Sequence, residues 1–206
     1  VVAYDVNDFK IACYGSIVLK EDGKAYAAGK NSYGQLGIGN TTNTSTLTQI
    51  SIDTNSKIKY IAPGGDTSAV MTSDGTVYET GYNYYGVLSN GTTTNSSKFM
   101  PLLNNDGSSV TDGFIIPEKI IDSSTDFYPT IFSIIKKDGT VCTSGNNSYG
   151  QLGNSTNINS KYLTQTGTTN VELNAKNEYI KIGEKFDVDV ISAANFNVFV
   201  KEKPVQ

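Results

Sequence analysis

One pattern of sixteen residues occurs three times in the chain. In each copy an Asp-Gly pair is followed, at the same spacing, by a second glycine, an asparagine and a third glycine. The copies begin at Asp22, Asp74 and Asp138, which places them 52 and 64 residues apart. Periods of this length are typical of solenoids, propellers and other repeat arrays.

The residues around each Asp-Gly pair predict short strands joined by tight turns. Asp-Gly between two β-rich runs indicates a hairpin whose two central residues both have positive φ. The predicted hairpin strands are 16–20 with 24–28, 68–72 with 76–80, and 130–136 with 140–144. Outer strands are predicted at 58–62 and 118–121 before a hairpin, and at 47–52, 99–103 and 162–166 after one. Four strands per unit without a helical period predict the blade of a β-propeller.

We therefore predict an all-β chain that forms a single domain of about four propeller blades, either an open arc or a piece of a larger propeller. The approximate repeats are 1–52, 53–103, 104–167 and 168–206. The last repeat is degraded, with strands expected at 179–182, 186–192 and 196–201 around a turn at 193–195. Residues 104–113 are polar and are predicted to form an exposed loop.

The repeat resembles the regulator of chromosome condensation repeat, the unit of a seven-bladed β-propeller. The resemblance rests on Ile61-Ala62-Pro63-Gly64-Gly65, on Asp74-Gly75-Thr76-Val77-Tyr78, and on the Gly-Gln-Leu-Gly segments at 34–37 and 150–153. The family commonly has His-Ser where this chain has Thr67-Ser68, and Trp where it has Ala28, Thr80 and Ser144. Such variants resemble the repeats of bacterial or viral surface proteins. The resemblance implies protein partners, as in propellers that inhibit β-lactamases or promote guanine-nucleotide exchange.

Composition argues against several classes of function. The 206 residues include no histidine, which removes imidazole from acid-base catalysis and from metal binding. All 16 basic residues are lysine and the net charge is −4, a balance that argues against binding to nucleic acid. No apolar run is long enough to insert into a membrane. Cys13 and Cys142 lie in different copies, so we expect core thiols without a disulfide.

Tyrosines recur at one loop position of the repeat, as Tyr33, as Tyr84 with Tyr85, and as Tyr149. They are the candidate binding residues, because tyrosine gives a large contact area at a small entropic cost. The alternative is that each ring packs on its own glycine turn. The asparagines at 31, 83 and 147 are expected to bond nearby backbone amides. Nine glycines are interpreted as structural turn residues: Gly23, Gly29, Gly34, Gly75, Gly81, Gly86, Gly139, Gly145 and Gly150.

No metal, cofactor or catalytic site is predicted. The carboxylate pairs Asp5 with Asp8 and Asp187 with Asp189 could face a cation, but no calcium-loop sequence accompanies them. The leading hypothesis is a non-enzymatic binding module that presents propeller loops to a protein partner or to a neighbouring chain of an assembly.

Two alternatives remain open at this stage. One is a structural or adhesion component of a fibre or virion, with glycan binding as an option. The other is a propeller that acts like a guanine-nucleotide exchange factor. The chain opens with Val1-Val2, so we expect either a removed leader or a piece of a longer protein. As a surface-type binding module it is expected to be extracellular, or on a cell or virion surface.

Overall fold

A computed structural model describes residues 6–12, 14–111, 113–114, 131–136, 140–167, 171–173, 179–181, 188–193 and 196–202. Every regular element in these ranges is a β-strand, which confirms the all-β prediction. Within the same ranges, no helix is long and apolar enough to cross a membrane.

Three four-stranded antiparallel sheets form the main body of the described chain, and we call them blades 1, 2 and 3. Blade 1 has the order β1 (Val6–Ala12), β2 (Gly15–Lys20), β3 (Ala25–Gly29) and β4 (Thr44–Gln49). Blade 2 has the order β5 (Ile58–Pro63), β6 (Thr67–Thr72), β7 (Val77–Gly81) and β8 (Ser96–Pro101). Blade 3 contains β9 (Gly113–Phe114), β10 (Ile131–Lys136), β11 (Val141–Gly145) and β12 (Ser160–Gln165), again in sequence order.

The C-terminal part contains two further strand pairs. β13 (Val171–Leu173) pairs with β14 (Tyr179–Lys181), and β15 (Val188–Ala193) pairs with β16 (Phe196–Glu202). The last three lie close to the strands predicted for the degraded repeat, whereas β1, β9 and β13 were not predicted. The predicted strand at 118–121 and two residues of the predicted turn at 193–195 lie outside the described residues.

The predicted starts of the fourth strands were wrong. β4 begins at Thr44, β8 at Ser96 and β12 at Ser160, two or three residues before the predicted starts. These first residues are polar, so no apolar pattern marks them, yet their backbones extend the antiparallel ladder, as in the pair Gly29 with Thr44. Hydrogen bonds of the backbone, which the sequence does not display, therefore set the boundary.

The Asp-Gly turns also differ from the prediction, because only the glycine has positive φ. Gly23 and Gly75 both have a φ of 85°, whereas Asp22 and Asp74 do not adopt positive φ. The Lys20 amide donates to the Lys24 carbonyl at 2.9 Å, which closes a hairpin with three loop residues, and the Gly23 amide donates back to the Lys20 carbonyl at 2.9 Å. The aspartate instead accepts the amide two residues later, so its role is to hold the turn through its side chain.

The predicted exposed loop 104–113 is exposed only in part in its described residues, which are 104–111 and 113. The Asn104 amide donates to the Ser108 carbonyl at 2.8 Å, and Leu103 and Ser109 form an antiparallel bridge. Val110 is fully buried in the apolar cluster between blades 2 and 3. A single apolar residue in a polar run therefore carries a core contact.

Neighbouring blades pack face to face, and we call the face toward the next blade in chain order the front face and the opposite one the rear face. The register of the strands places alternate residues on these two faces. One apolar cluster joins the front face of blade 1 to the rear face of blade 2, and a second joins the front face of blade 2 to the rear face of blade 3. The first contains Ile17, Leu19, Ala25, Ala27 and Ile50 from blade 1, and Ile61, Val70, Tyr78 and Phe99 from blade 2. The second contains Met71, Val77 and Leu102 from blade 2, and Ile134, Cys142 and Leu163 from blade 3.

Backbone hydrogen bonds join the blades in the same way at both interfaces. The Gly39 amide donates to the Ser97 carbonyl at 2.8 Å, and the Phe99 amide donates to the Ser51 carbonyl at 3.0 Å. The equivalent bonds of the next interface run from Gly91 to Lys161 and from Leu163 to Leu103, at 2.9 and 3.0 Å. The repeat therefore specifies the joint between blades as well as the blade itself.

Candidate functional site: the loop end of the blades

The candidate tyrosines lie in loops that leave the blades at the same end. Because the strands alternate in direction, β3, β7 and β11 all finish at the end where the loops 30–43, 82–95 and 146–159 begin. We call this end the loop end, and it also includes Tyr14 and the turn 64–66. The Asp-Gly hairpins and the links between blades lie at the opposite end, the turn end.

One buried asparagine fixes each loop. Asn31, Asn83 and Asn147 are fully buried, and in each case the side-chain oxygen accepts the amide five residues later at 2.9 Å. The side-chain amide donates back to carbonyls across the loop, at Thr92 and Thr94 in blade 2. The expected bonding of these asparagines to backbone amides is therefore observed. A second asparagine, not singled out from the sequence, accepts the backbone amide of the first in each loop: Asn43, Asn95 and Asn159.

The four candidate tyrosines are exposed to different degrees. Tyr149 is 92% exposed and Tyr84 is 67% exposed, so neither ring is covered by its own turn. Tyr85 is half-buried and meets the Tyr84 ring at 5.0 Å between centroids, with the two rings perpendicular. Within the described residues no ring contact links Tyr149 to another tyrosine.

Tyr33 takes part in a contact between blades. Its ring lies edge to face against Tyr82 of blade 2, with 5.3 Å between centroids. The Lys30 ammonium lies 5.6 Å from the centre of the Tyr33 ring and 4.8 Å from that of Tyr14. The same ammonium is 3.1 Å from Asp66, a nearly buried carboxylate of blade 2 that also accepts a bond from Gln35. No local pattern in the sequence marks this cluster, because its residues are far apart in the chain.

Charge is unequally divided between the two ends of the described blades. In the loop-end segments 14, 30–43, 64–66, 82–95 and 146–159, the charged residues are Lys30 and Asp66, and these two are paired. The turn-end segments 21–24, 50–57, 73–76 and 102–110 contain Glu21, Asp22, Lys24, Asp53, Lys57, Asp74 and Asp106. The loop end therefore presents tyrosine, asparagine, serine and threonine without free charge in the part that the structure describes.

The carboxylates of the turn end are held ionised by hydrogen bonds. Asp74 accepts bonds from the Ser56 and Thr72 hydroxyls, both at 2.6 Å, and these bonds and that of the Thr76 amide move its pKa well below the usual range. The Ser108 hydroxyl and amide likewise lower the pKa of Asp106. These groups serve turn geometry.

Eight of the nine turn glycines lie in the described residues, with φ between 77° and 127°, and Gly139 lies outside them. Gly81 shows the tightest approach, because a Cβ atom there would overlap the Asp66 carbonyl oxygen. Gly34 packs on the next blade, where a Cβ atom would lie 2.5 Å from the Ser96 carbonyl oxygen. Of the carboxylate pairs considered as cation ligands, Asp5 and Asp187 lie outside the described residues.

These features define a class: a stack of propeller-type blades with tyrosine-bearing loops at one end, each held by hydrogen bonds of a buried asparagine. Residues 22–71 match the model of the regulator of chromosome condensation (RCC1) repeat, which confirms the resemblance drawn from the sequence. The chain is 45% identical over 74 residues to the X-linked retinitis pigmentosa GTPase regulator of Canis lupus familiaris, covering 35% of this chain and 7% of that protein. It is 36% identical over 129 residues to the secretion-regulating guanine nucleotide exchange factor of Bos taurus, covering 62% and 25%.

A solved structure confirms the propeller type of the fold. Prp20p of Saccharomyces cerevisiae superposes with a TM-score of 0.60 at 13% identity, over 87% of this chain and 45% of that chain. Prp20p itself has binding properties to Gsp1p and histones. The present chain spans a quarter or less of the two curated relatives, and fewer than half of the residues of Prp20p.

Proposed function

We propose that this chain is a non-enzymatic binding module that holds a protein partner at the loop end of its blades. The observation that supports this most strongly is the combination of exposed tyrosines and uncharged polar residues on loops fixed by buried asparagines. Tyrosine, serine, asparagine and glycine form effective recognition surfaces, because rings with two side-chain torsions lose little entropy on binding. Relatives named as regulators and exchange factors are consistent with a protein partner.

Rigidity favours binding at this end. A loop that is already held in one conformation does not lose further conformational freedom when the partner arrives, so more of the contact energy appears as affinity. The bonds of Asn83 to Leu88, Thr92 and Thr94 supply this preorganisation in blade 2. The absence of free charge at the described loop end fits an uncharged partner surface better than a strongly acidic or basic one.

Site-specific photo-crosslinking tests the proposal. A benzophenone amino acid replaces Tyr84 at the loop end in one variant of the full chain, and Lys24 at the turn end in the matched control. We expect a crosslinked protein that is specific to position 84. Tyr84→Ala should then weaken binding of that purified partner by roughly thirtyfold, about 2 kcal/mol, whereas Lys24→Ala should change it by less than threefold. Equal crosslinking from both positions would contradict the assignment.

Exchange of guanine nucleotide is a second candidate function, favoured by the similarity to the bovine exchange factor over 62% of this chain. In this case the partner at the loop end is a small GTPase. Release of a fluorescent guanine nucleotide from purified small GTPases measures it. If the chain accelerates nucleotide release, and if Tyr84→Ala reduces this acceleration while Lys24→Ala does not, exchange activity is favoured over binding alone.

We also propose an extracellular or particle-surface location, in which the same loop end could serve adhesion. Exposed tyrosine rings can stack on sugar rings, and the rings of Tyr149 and Tyr84 are exposed. A glycan array probed with the full chain and with Tyr149→Ala separates this possibility from a protein partner. Binding to neutral glycans that Tyr149→Ala abolishes would favour adhesion.

A further inference from the structure

Asn90 and Gly91 form the one Asn-Gly pair in the sequence. In such a pair the amide nitrogen of the glycine can attack the side-chain carbonyl carbon of the asparagine, because glycine has no Cβ atom to hinder the approach. The pair lies at the loop end, in the loop 82–95 that also bears Tyr84 and Tyr85. A chemically reactive pair is therefore placed on the surface that we propose to meet a partner.

Hydrogen bonds hold both residues of the pair in the folded chain. The Gly91 amide donates to the Lys161 carbonyl of blade 3 at 2.9 Å, and this bond is part of the joint between blades 2 and 3. The Asn90 side-chain oxygen accepts the Thr92 amide at 3.1 Å, the Thr92 hydroxyl at 2.8 Å and the Asn83 side-chain amide at 3.3 Å. Attack requires the Gly91 amide to lose its proton and the Asn90 side chain to move onto it, and these bonds oppose both changes.

We propose that Asn90-Gly91 is a site of spontaneous deamidation that the joint between blades 2 and 3 controls. While the joint is closed, the bond to Lys161 protects the pair. When blade 3 moves away from Gly91, this protection is lost and the reaction proceeds. Proteins open locally at a lower free energy than they unfold globally, so the joint can open while the blades persist. The site needs no partner and is independent of the binding function proposed for the loop end.

Water is the only other reactant. The Gly91 nitrogen forms a bond to the side-chain carbonyl carbon of Asn90, the bond from that carbon to the side-chain nitrogen breaks, and ammonia leaves with the proton of the Gly91 amide. The product is a cyclic imide, which water then opens at either carbonyl carbon. If the new bond breaks, the product is aspartate with a normal main chain. If the original peptide bond breaks, the product is isoaspartate, whose main chain runs through the former side-chain carbon.

The two products differ in their effect on the loop. The Asn90 side chain is held through its oxygen, which accepts all three bonds, and an aspartate side chain also has an oxygen there. Aspartate therefore keeps the loop and adds a negative charge to a loop end whose described charges, Lys30 and Asp66, are paired. Isoaspartate instead lengthens the main chain before Gly91 by one carbon atom, which displaces the Gly91 amide from the Lys161 carbonyl. One product changes the charge of the surface, and the other breaks the joint.

Blade 3 contains an internal control for the reaction. Asn154 is bonded as Asn90 is, because its side-chain oxygen also accepts the amide and hydroxyl of the threonine two residues later and the amide of the buried asparagine of its loop. The next residue is Ser155 rather than glycine, and its Cβ atom hinders attack by its nitrogen. We therefore expect Asn154 to react more slowly than Asn90 in the unfolded chain.

Peptide mass spectrometry of the full chain, incubated in mildly alkaline buffer, measures the rate at each asparagine. We expect position 90 to react fastest in guanidinium chloride, and at least about tenfold more slowly in the folded chain. Leu163→Ala should raise the rate in the folded chain at least about fivefold, because Leu163 is buried in the cluster that joins blades 2 and 3. Phe99→Ala is the matched control, because Phe99 holds the repeat-equivalent position in the cluster that joins blades 1 and 2, and it should change the rate less than about twofold. Circular dichroism of each variant establishes that the sheet is retained.

Equal rates at position 90 in the folded and unfolded chains would overturn protection by the fold. Equal acceleration by Leu163→Ala and Phe99→Ala would overturn control by the joint between blades 2 and 3 in favour of global unfolding. The aspartate form and the isoaspartate form can be separated by ion-exchange chromatography and compared by hydrogen exchange. We expect the Gly91 amide to stay protected in the aspartate form, as in Asn90→Asp, and to lose protection in the isoaspartate form. Equal protection in both forms would overturn the effect assigned to isoaspartate.

Discussion

Replacement of Asn83 by alanine should be one of the most destabilising single changes in the loops. Asn83 is fully buried in blade 2, its oxygen accepts the Leu88 amide at 2.9 Å, and its amide donates to the carbonyls of Thr92 and Thr94. Alanine leaves the Leu88 amide buried without an acceptor, which costs about 1–3 kcal/mol. The two carbonyls belong to exposed residues that water can reach, so each adds roughly 0.5–1 kcal/mol.

The expected loss is about 2–5 kcal/mol in the free energy of unfolding, or about 4–20 °C in the melting temperature of a chain of this size. Urea unfolding followed by circular dichroism measures the energy, and hydrogen exchange measures protection of the Leu88 amide. Asn105→Ala is the matched control, because Asn105 is an exposed asparagine in another loop. A difference below about 0.5 kcal/mol between the two variants, or unchanged protection at Leu88, would refute the role given to the buried amide.

Three further substitutions test separate features. Gly81→Ala should lower the free energy of unfolding by about 3 kcal/mol or more, because its Cβ atom would overlap the Asp66 carbonyl. Gly107→Ala, where φ is also positive but the space is open, should lower it by about 1 kcal/mol, and thermal unfolding measures both. Asp74→Ala should cost about 0.5–1 kcal/mol at pH 7, because its exposed carboxylate holds the turn. Since folding lowers the pKa of Asp74, its stabilising contribution is fully present above about pH 4 and declines as the pH falls further. If the stability difference between Asp74→Ala and the unchanged protein stays constant down to about pH 2, the ionised carboxylate is not the cause. Thr80→Val should lower the free energy of unfolding by about 1–2 kcal/mol, because the Thr80 hydroxyl donates to the Gly34 carbonyl of blade 1 at 2.9 Å. Urea unfolding measures this loss, and an unchanged free energy would contradict a stabilising role for the bond.

The sequence predicted the blades well because the blade signal is local. An Asp-Gly pair between two β-rich runs specifies a hairpin within a dozen residues, and β2 with β3 and β6 with β7 lie within a residue of their predicted positions. The predicted turn conformation was wrong because an Asp-Gly pair fits several types of hairpin loop. Which loop forms depends on ladder bonds such as that from Lys20 to Lys24. Local sequence therefore determines that a turn occurs, and pairing determines its type.

The candidate site was less predictable because its geometry depends on contacts between blades. Tyr33 could be named from its place in the repeat, but its partner Tyr82 belongs to another blade and no local pattern joins them. The ion pair of Lys30 with Asp66 spans 36 residues. The exposure of Tyr149 also depends on its surroundings rather than on its own loop, since Tyr33 holds the same loop position and is half-buried. Contacts of this kind can be identified only when the positions of neighbouring blades are known.

The position at which the resembled family commonly has Trp carries a bond between blades in two of the described blades. Thr80 and Ser144 occupy it in blades 2 and 3, are fully buried, and donate to carbonyls of the preceding blade, at Gly34 and Val87. Blade 1 has Ala28 there, half-buried and without a hydroxyl, so the donor belongs to the joints made by blades 2 and 3 and not to the repeat as such.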